Sequence, residues 1–213
     1  MFDAFFVRRL KSPLAFAAKP LDAAGIKATQ VTLIGAVIGL AAAILIAADA
    51  LLLGGLLFLM NRLFDGLDGA LARQQGPTEQ GAFLDITLDF LIYSAIPFAF
   101  AVRDPDVALA AAFLLFSFVG TGSTFLAFSI FATRHGLENE SLKDKSIYYL
   151  QGLTEGFETT LVLTLMCLFP QWFEWLAWGF GALCFMTTGS RIVEGNRVLR
   201  GSSTPEPDRL SEI

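Results

Sequence analysis

Long apolar stretches separated by short polar ones recur along the 213 residues of the chain. A helix needs about 20 mostly apolar residues to cross the hydrocarbon core of a bilayer. The stretches do not alternate polar and apolar positions, as the strands of membrane barrels do. The pattern therefore predicts an all-α polytopic membrane protein with six transmembrane helices, near Thr29–Ala48, Leu51–Arg73, Gly81–Val102, Val107–Thr133, Leu153–Phe169 and Trp172–Val193.

The two ends of the chain have a different pattern. Apolar residues recur near helical spacing before the first apolar stretch, beside Arg8, Arg9 and Lys11, which predicts an amphipathic helix lying on the membrane surface. Residues 201–213 contain two prolines and charges of both signs, so a disordered cytoplasmic tail is expected there. Residues 1–200 then form one membrane domain, with residues 1–27 as its interfacial, cytoplasmic start.

Composition agrees with a membrane protein, since 54% of the residues are hydrophobic and only 16% are charged. The net charge of −5 argues against nucleic acid as a partner. Cys167 and Cys184 lie inside apolar runs, which indicates neither a disulfide framework nor a zinc site.

The basic residues predict the orientation, because cytoplasmic loops of membrane proteins carry an excess of Lys and Arg. If both termini lie in the cytoplasm, the outer side holds only Arg103. The inner side then holds Arg8, Arg9, Lys11, Lys19, Lys27, Arg73, Arg134, Lys143, Lys145, Arg197, Arg200 and Arg209. Tryptophans at 172, 175 and 178 suit anchors at the outer interface.

Four acidic residues lie inside the predicted second and third spanning segments, where a charge in hydrocarbon costs at least several kcal/mol. Asp65 and Asp68 share one face of the second segment, and Asp85 and Asp89 share one face of the third. Counted from the turn between these segments, the acids pair at similar depths, about 6–12 Å from it. The sequence therefore predicts that the four carboxylates converge at one site.

Four oxygen donors without His or Cys suit Mg²⁺, Mn²⁺ or Ca²⁺ rather than zinc. A pair of divalent ions would neutralise the acids, bind a pyrophosphate and stabilise in-line attack at phosphorus. Two other functions use buried acids in this way. An intramembrane prenyltransferase holds pyrophosphate through magnesium, and a cation transporter or channel uses acids as an ion site.

The acids lie in a longer motif that resembles the signature of the CDP-alcohol phosphatidyltransferases. That signature runs D-x2-D-G-x2-A-R, a spacer usually of eight residues, and G-x3-D-x3-D. Each of its named positions is matched here, by Asp65, Asp68, Gly69, Ala72, Arg73, Gly81, Asp85 and Asp89. The spacer Gln74–Gln80 is one residue short, and it lies in the predicted turn, where a deletion shifts no helix face.

The resemblance implies an enzyme of the bacterial inner membrane that uses CDP-diacylglycerol, an alcohol acceptor and Mg²⁺ or Mn²⁺, with no organic cofactor. It also implies a homodimer whose metal site opens to the cytoplasm. Asp65, Asp68, Asp85 and Asp89 would ligate two divalent ions, and Asp89 would also remove the proton of the acceptor hydroxyl. By the same resemblance, the CDP site would be lined by Gly69, Ala72, Arg73 and Gly81.

Basic residues on the predicted cytoplasmic side bear on the acceptor. Arg134, Lys143 and Lys145 follow the fourth segment, and Arg191 follows a run of small polar residues near the inner end of the sixth. A buried arginine needs an anion, and arginine binds phosphate bidentately. We therefore expect a phosphorylated acceptor, such as glycerol 3-phosphate, bound by Arg134, Lys145 and Arg191. Glu155 and Glu158 fit either a helix N-terminus or the acceptor pocket.

Overall fold

The computed structural model describes the backbone of residues 3–134 and 154–201, and the side chains of residues 9–131 and 154–200. Seven α-helices and two 3-10 turns form these parts of the chain, without strands. The all-α prediction is confirmed. The helices are α1 (Asp3–Ala23), α2 (Ala28–Ala47), α3 (Leu51–Gln75), α4 (Glu79–Arg103), α5 (Ala108–Arg134), α6 (Gly156–Leu168) and α7 (Phe173–Gly201).

Each of the six predicted segments coincides with one of the helices α2–α7. By length and composition, three helical stretches suffice to cross a membrane: Ala28–Ala47, Glu79–Arg103 and Pro105–Phe131. The helices α6 and α7 count as a fourth only if they form one span, and they are bent by 117° at their junction. The α3 helix is long enough, but Arg62, Asp65 and Asp68 make it more polar. The structure thus supports three or four spans, and six remains a prediction.

The N-terminal helix α1 packs against the half of α3 that carries the acidic motif. Ala18 is fully buried in a small cluster with Val31, Ala70 and Leu71. The side chain of Gln75 donates hydrogen bonds to the carboxylate of Asp22 and the carbonyl of Ile26, at 2.9 and 2.8 Å. The opposite face of α1 is exposed at Leu10 and Phe16. A lipid-facing position for this face remains a prediction.

Close approach of α2 to α3 depends on glycine. A Cβ atom on Gly54 would lie 2.6 Å from Cγ1 of Ile46 and 2.9 Å from the carbonyl oxygen of Ala42. Across the same interface, a Cβ on Gly39 would lie 3.0 Å from Cγ of Asn61. Small residues of this kind let membrane helices pack tightly. They bring the polar face of α3 next to α2.

The α2 helix packs against both α3 and α4, while the backbones of α3 and α4 make far fewer close approaches to each other. A gap therefore remains between the two helices that carry the acids. Their connection is shorter than expected. Only Gly76–Thr78 is non-helical, since Gln74 and Gln75 belong to α3, and Glu79 and Gln80 to α4. The prediction that the whole spacer forms a turn is wrong.

Local residues explain this tight connection. Gly76 has φ of 92°, a conformation that favours glycine and ends α3. Thr78 then caps α4, because its Oγ1 accepts a hydrogen bond from the backbone N–H of Gly81 at 3.1 Å. The two arms of the acidic motif are thereby joined by a short, well-defined turn.

Candidate active site

The carboxylates of Asp65, Asp68 and Asp85 meet in the gap between α3 and α4. One oxygen from each lies within 4.8 Å of the others, which is close enough for the three to hold one metal ion. Asp65 and Asp68 reach the gap from adjacent turns of α3, and Asp85 reaches it from α4. The predicted convergence of the acids is therefore seen for these three.

Asp68 gives a test of whether a cation fits this site. The residue is only 4% exposed, and its Oδ2 atom is buried without a hydrogen-bond partner in the part of the chain that the structure describes. An unpaired buried carboxylate oxygen is strongly unfavourable. A hard cation such as Mg²⁺ or Mn²⁺ would satisfy this oxygen, and carboxylates are the ligands that both ions prefer. The donor set thus fits the predicted metal.

Asp89 has a different environment from the other three acids. It lines the same small cavity as Asp65, Asp68 and Asp85, but its Oδ1 forms an ion pair with Nη1 of Arg62. Its side chain is 32% exposed. The resemblance assigns Asp89 two roles, as a metal ligand and as the general base. In the structure this residue already has a cationic neighbour.

Arg62 was overlooked in the sequence, although the signal was present. It lies one helical turn before Asp65, and an arginine inside a spanning segment requires a partner. Nε and Nη2 of Arg62 both donate to the side-chain oxygen of Asn61, at 2.9 and 2.6 Å. Asn61 is buried and donates in turn to the carbonyl of Gly35 on α2. The ring of Tyr93 lies 4.4 Å from the guanidinium carbon.

A larger cavity of about 730 Å³ adjoins the acids. Segments of α4, α5 and α7 and the start of α6 line it, and its wall is largely aromatic and aliphatic. Its polar lining includes Asp89, Tyr93, Thr121, Thr154, Glu155, Thr159 and Arg191. Asp89 is the acid that borders both this cavity and the small acid-lined one.

Of the predicted acceptor residues, Arg191 lines the large cavity, where its Nη1 donates to the carbonyl oxygen of Thr121 at 3.1 Å. The backbone of Arg134 ends α5, but its side chain lies outside the described residues, as do Lys143 and Lys145. Their part in the site remains a prediction.

Both paired glutamates lie at the start of α6, where Glu155 is the N-cap residue and forms a capping box with Glu158. Glu158 accepts a hydrogen bond from the backbone N–H of Glu155 at 3.3 Å and so caps α6. Glu155 lines the large cavity together with Arg191. A carboxylate and a guanidinium therefore line the same cavity.

The residues expected to contact CDP lie at the end of the site nearest the connection between α3 and α4. A Cβ on Gly69 would meet only the Nη1 atom of Arg73, at 3.4 Å, so its surface is open to a ligand. Arg73 is exposed, and Ala72 is half-buried. Gly81 lies across the connection at the start of α4. A CDP-binding role for these four remains a prediction.

Comparison with known proteins gives the same family for most of the chain. The family model described as CDP-alcohol phosphatidyltransferase matches residues 26–183. The inner membrane protein YnjF of Escherichia coli (strain K12) is 48% identical over 201 residues, which cover 94% of this chain and 98% of the relative. The archaetidylinositol phosphate synthase of Pyrococcus horikoshii is 37% identical over 95 residues, 44% of this chain and 50% of that protein.

Two solved structures of the phosphatidylinositol phosphate synthase PgsA1 of Mycobacterium tuberculosis have the same fold. The complex with CDP-DAG has a TM-score of 0.60 and 21% identity, covering 93% of this chain and 98% of that one. The complex with manganese and citrate has a TM-score of 0.65 and 23% identity, covering 85% and 88%. From the family match and the acidic motif together, this chain belongs to the CDP-alcohol phosphatidyltransferase family and is an enzyme of that type.

Proposed function

We propose that this enzyme makes a phospholipid by moving a phosphatidyl group from CDP-diacylglycerol to an alcohol, with release of CMP. The observation that carries the proposal is the position of Asp89, which borders both the small acid-lined cavity and the larger one. A donor diphosphate held at the acids and an acceptor held in the larger cavity would then meet at Asp89. The prenyltransferase and transporter alternatives are not favoured by any feature of this arrangement.

Asp65, Asp68 and Asp85 would hold the first divalent ion, Mg²⁺ or Mn²⁺. The unpaired Oδ2 of Asp68 supports this assignment. Bound divalent ions would neutralise the diphosphate of the donor and stabilise CMP as a leaving group. We expect two ions during turnover, with Asp89 contributing to the second site. Gly69, Ala72, Arg73 and Gly81 would bind the CDP part at the cytoplasmic end.

Asp89 would act as the general base. The acceptor oxygen attacks the phosphorus that carries diacylglycerol, the bond from that phosphorus to the CMP oxygen breaks, and the hydroxyl proton passes to the carboxylate of Asp89. Arg62 engages Oδ1 of this carboxylate, so Oδ2 is the oxygen suited to take the proton. The position of Asp89 at the wall of the larger cavity supports this role.

The acceptor proposed for the larger cavity is a phosphorylated alcohol, such as glycerol 3-phosphate. Arg191 lines this cavity, as Asp89 does, and a guanidinium binds phosphate through paired N–H donors. Arg134 and Lys145 would add positive charge. The E. coli relative is by name an inner membrane protein, which supports a place in the bacterial inner membrane, with the site facing the cytoplasm. A homodimer is expected, and light scattering of the purified protein would test it.

The direct test incubates purified enzyme with CDP-diacylglycerol and Mn²⁺ or Mg²⁺. Glycerol 3-phosphate, inositol phosphate, serine, choline and a lipid hydroxyl are supplied one at a time, and CMP and the lipid product are measured. We expect turnover with a phosphorylated alcohol and none after EDTA. Asp89→Asn should lower kcat by about 100-fold or more and keep most of the CDP-diacylglycerol binding. Asp106→Asn, at an exposed position far from the site, is the matched control.

Absence of CMP release with every acceptor would contradict the proposal. Activity that survives EDTA would contradict its metal site. Loss of donor binding in step with turnover in Asp89→Asn would make Asp89 chiefly a ligand.

A further inference from the structure

Asp89 differs from the other three acids of the signature because it forms an ion pair with Arg62. Asp65, Asp68 and Asp85 bring oxygens together, while Asp89 on the same cavity accepts from a guanidinium. Arg62 retains its positive charge at any pH at which the protein is folded. A permanent cation therefore lies beside Asp89, the acid proposed above to contribute to the second ion site.

Arg62 is held in place from three sides. Its side chain is 10% exposed, and two of its nitrogens donate to Asn61, which is fixed to the carbonyl of Gly35 on α2. Tyr93 and Phe58 place their rings 4.4 and 5.6 Å from its guanidinium carbon, within the range of cation–π attraction. Tyr93 is itself anchored, because its hydroxyl lies 3.3 Å from Oγ1 of Thr160. A side chain held in this way is a fixed part of the site.

The charges of the carboxylates and of Arg62 determine how many divalent ions the site favours when no substrate is bound. The three clustered carboxylates carry three negative charges, and one divalent ion leaves a single negative charge among them. Asp89 is already neutralised by Arg62. A second divalent ion would face Arg62 at close range, and like charges in a site of low dielectric repel strongly.

We propose that Arg62 is a positioning residue that serves as the built-in counter-ion of Asp89, so that the enzyme without substrate binds a single divalent ion, at Asp65, Asp68 and Asp85. The inference rests on the metal-dependent function proposed above. The second ion then binds only with the diphosphate of the donor, whose negative charges offset the repulsion from Arg62.

The test counts Mn²⁺ bound to the purified full chain without any substrate, by electron paramagnetic resonance of the free ion. The wild type and Arg62→Lys should bind one tight ion per chain. Arg62→Met keeps the apolar contacts to Tyr93 but removes the charge, and should bind a second ion at least about tenfold more tightly than the wild type does. Thermal unfolding in EDTA checks that each variant is folded.

A double variant separates this role from a merely structural one. In Arg62→Met/Asp89→Asn the unpaired carboxylate is gone, so the count should return to one, and much of the thermal stability lost in Arg62→Met should return. Two equally tight ions in the wild type, or an unchanged second affinity in Arg62→Met, would overturn the inference and leave the proposed function standing. Absence of Mn²⁺ binding in every variant would overturn both.

Discussion

Residues that carry charge inside this protein differ in how the charge is satisfied. Asp89 has Arg62 as a partner, whereas Asp68 is more deeply buried and has one oxygen without a protein partner within the described structure. Asn61 is buried too, but both its donor and acceptor are engaged. Among the fully buried side-chain polar atoms that the structure describes, only Oδ2 of Asp68 lacks a hydrogen-bond partner. A cation bound at this oxygen would contribute to folding as well as to chemistry.

Asp68→Asn is expected to separate these two contributions. The substitution removes a buried charge, so the protein in EDTA should be as stable as the wild type or more stable. The increase in Tm that Mn²⁺ gives the wild type should be lost, together with activity. Thermal unfolding with and without Mn²⁺ measures both effects. A Mn²⁺-dependent increase in Asp68→Asn equal to that of the wild type would rule out Asp68 as a ligand.

Arg191→Ala should raise the KM of a phosphorylated acceptor by about tenfold or more, because a hydrogen bond to a charged group is lost. The KM of CDP-diacylglycerol should change little. Initial rates at varied concentrations of each substrate measure the two values. Arg197→Ala is the matched control, since Arg197 lies on the same helix with its side chain 82% exposed. Equal acceptor KM values for wild type and Arg191→Ala would remove the case for a phosphate-binding arginine.

At the scale of the elements, two glycines of α3 have different roles. Gly54 allows α3 to touch α2, where no room remains for a Cβ atom. Gly69, four turns further along, faces space in which a Cβ atom would meet only a flexible arginine tip. One glycine is thus required by packing, and the other leaves a surface free for a ligand.

This difference predicts opposite effects of the same substitution. Gly54→Ala should destabilise the protein by about 1–3 kcal/mol through overpacking against Ile46, with little change in the KM of the donor. Gly69→Ala should leave stability nearly unchanged and raise the donor KM by about tenfold, equivalent to ~1.4 kcal/mol. Unfolding in denaturant and steady-state kinetics measure the two properties. A stable Gly69→Ala variant with normal donor KM would contradict a CDP-binding surface at Gly69.

The elements also show what the sequence can and cannot predict. Apolar length correctly located the six helices α2–α7, because a helix satisfies its backbone hydrogen bonds within one continuous segment. It did not predict the 13-residue length of α6 or the bend of 117° before α7, because both depend on packing between helices. Helical spacing placed Asp65 and Asp68 on one face. The partner of Asp89 lies 27 residues earlier on another helix, and local spacing contains no information about such a pair.

Across the whole molecule, the two ends of the helical bundle differ in polarity. The end that carries the acids also carries the exposed side chains of Lys27 and Arg73 and the α1 helix. At the other end, Nε of Arg103 forms an ion pair with Asp49 at 2.5 Å. The orientation expected from the basic residues would place the acid-carrying end in the cytoplasm, and it stays a prediction.

Single cysteines would test that orientation. Gln80→Cys, at the acid-containing end, should be protected from an impermeant thiol reagent added outside intact cells, whereas Asp106→Cys, at the opposite end, should react. Both positions are exposed. The native Cys167 and Cys184 are buried and should give little background. Labelling of Gln80→Cys alone would reverse the orientation and place the active site outside.

The size of the larger cavity has a consequence for the fidelity of transfer. A space of about 730 Å³ accommodates roughly two dozen water molecules at about 30 Å³ each. Every one is a hydroxyl nucleophile much smaller than any acceptor alcohol, and Asp89 lies in the cavity wall. Under the proposed function, hydrolysis of the activated lipid would compete with synthesis whenever the cavity is empty of acceptor. Displacement of this water by the correct alcohol would then protect the activated lipid from hydrolysis.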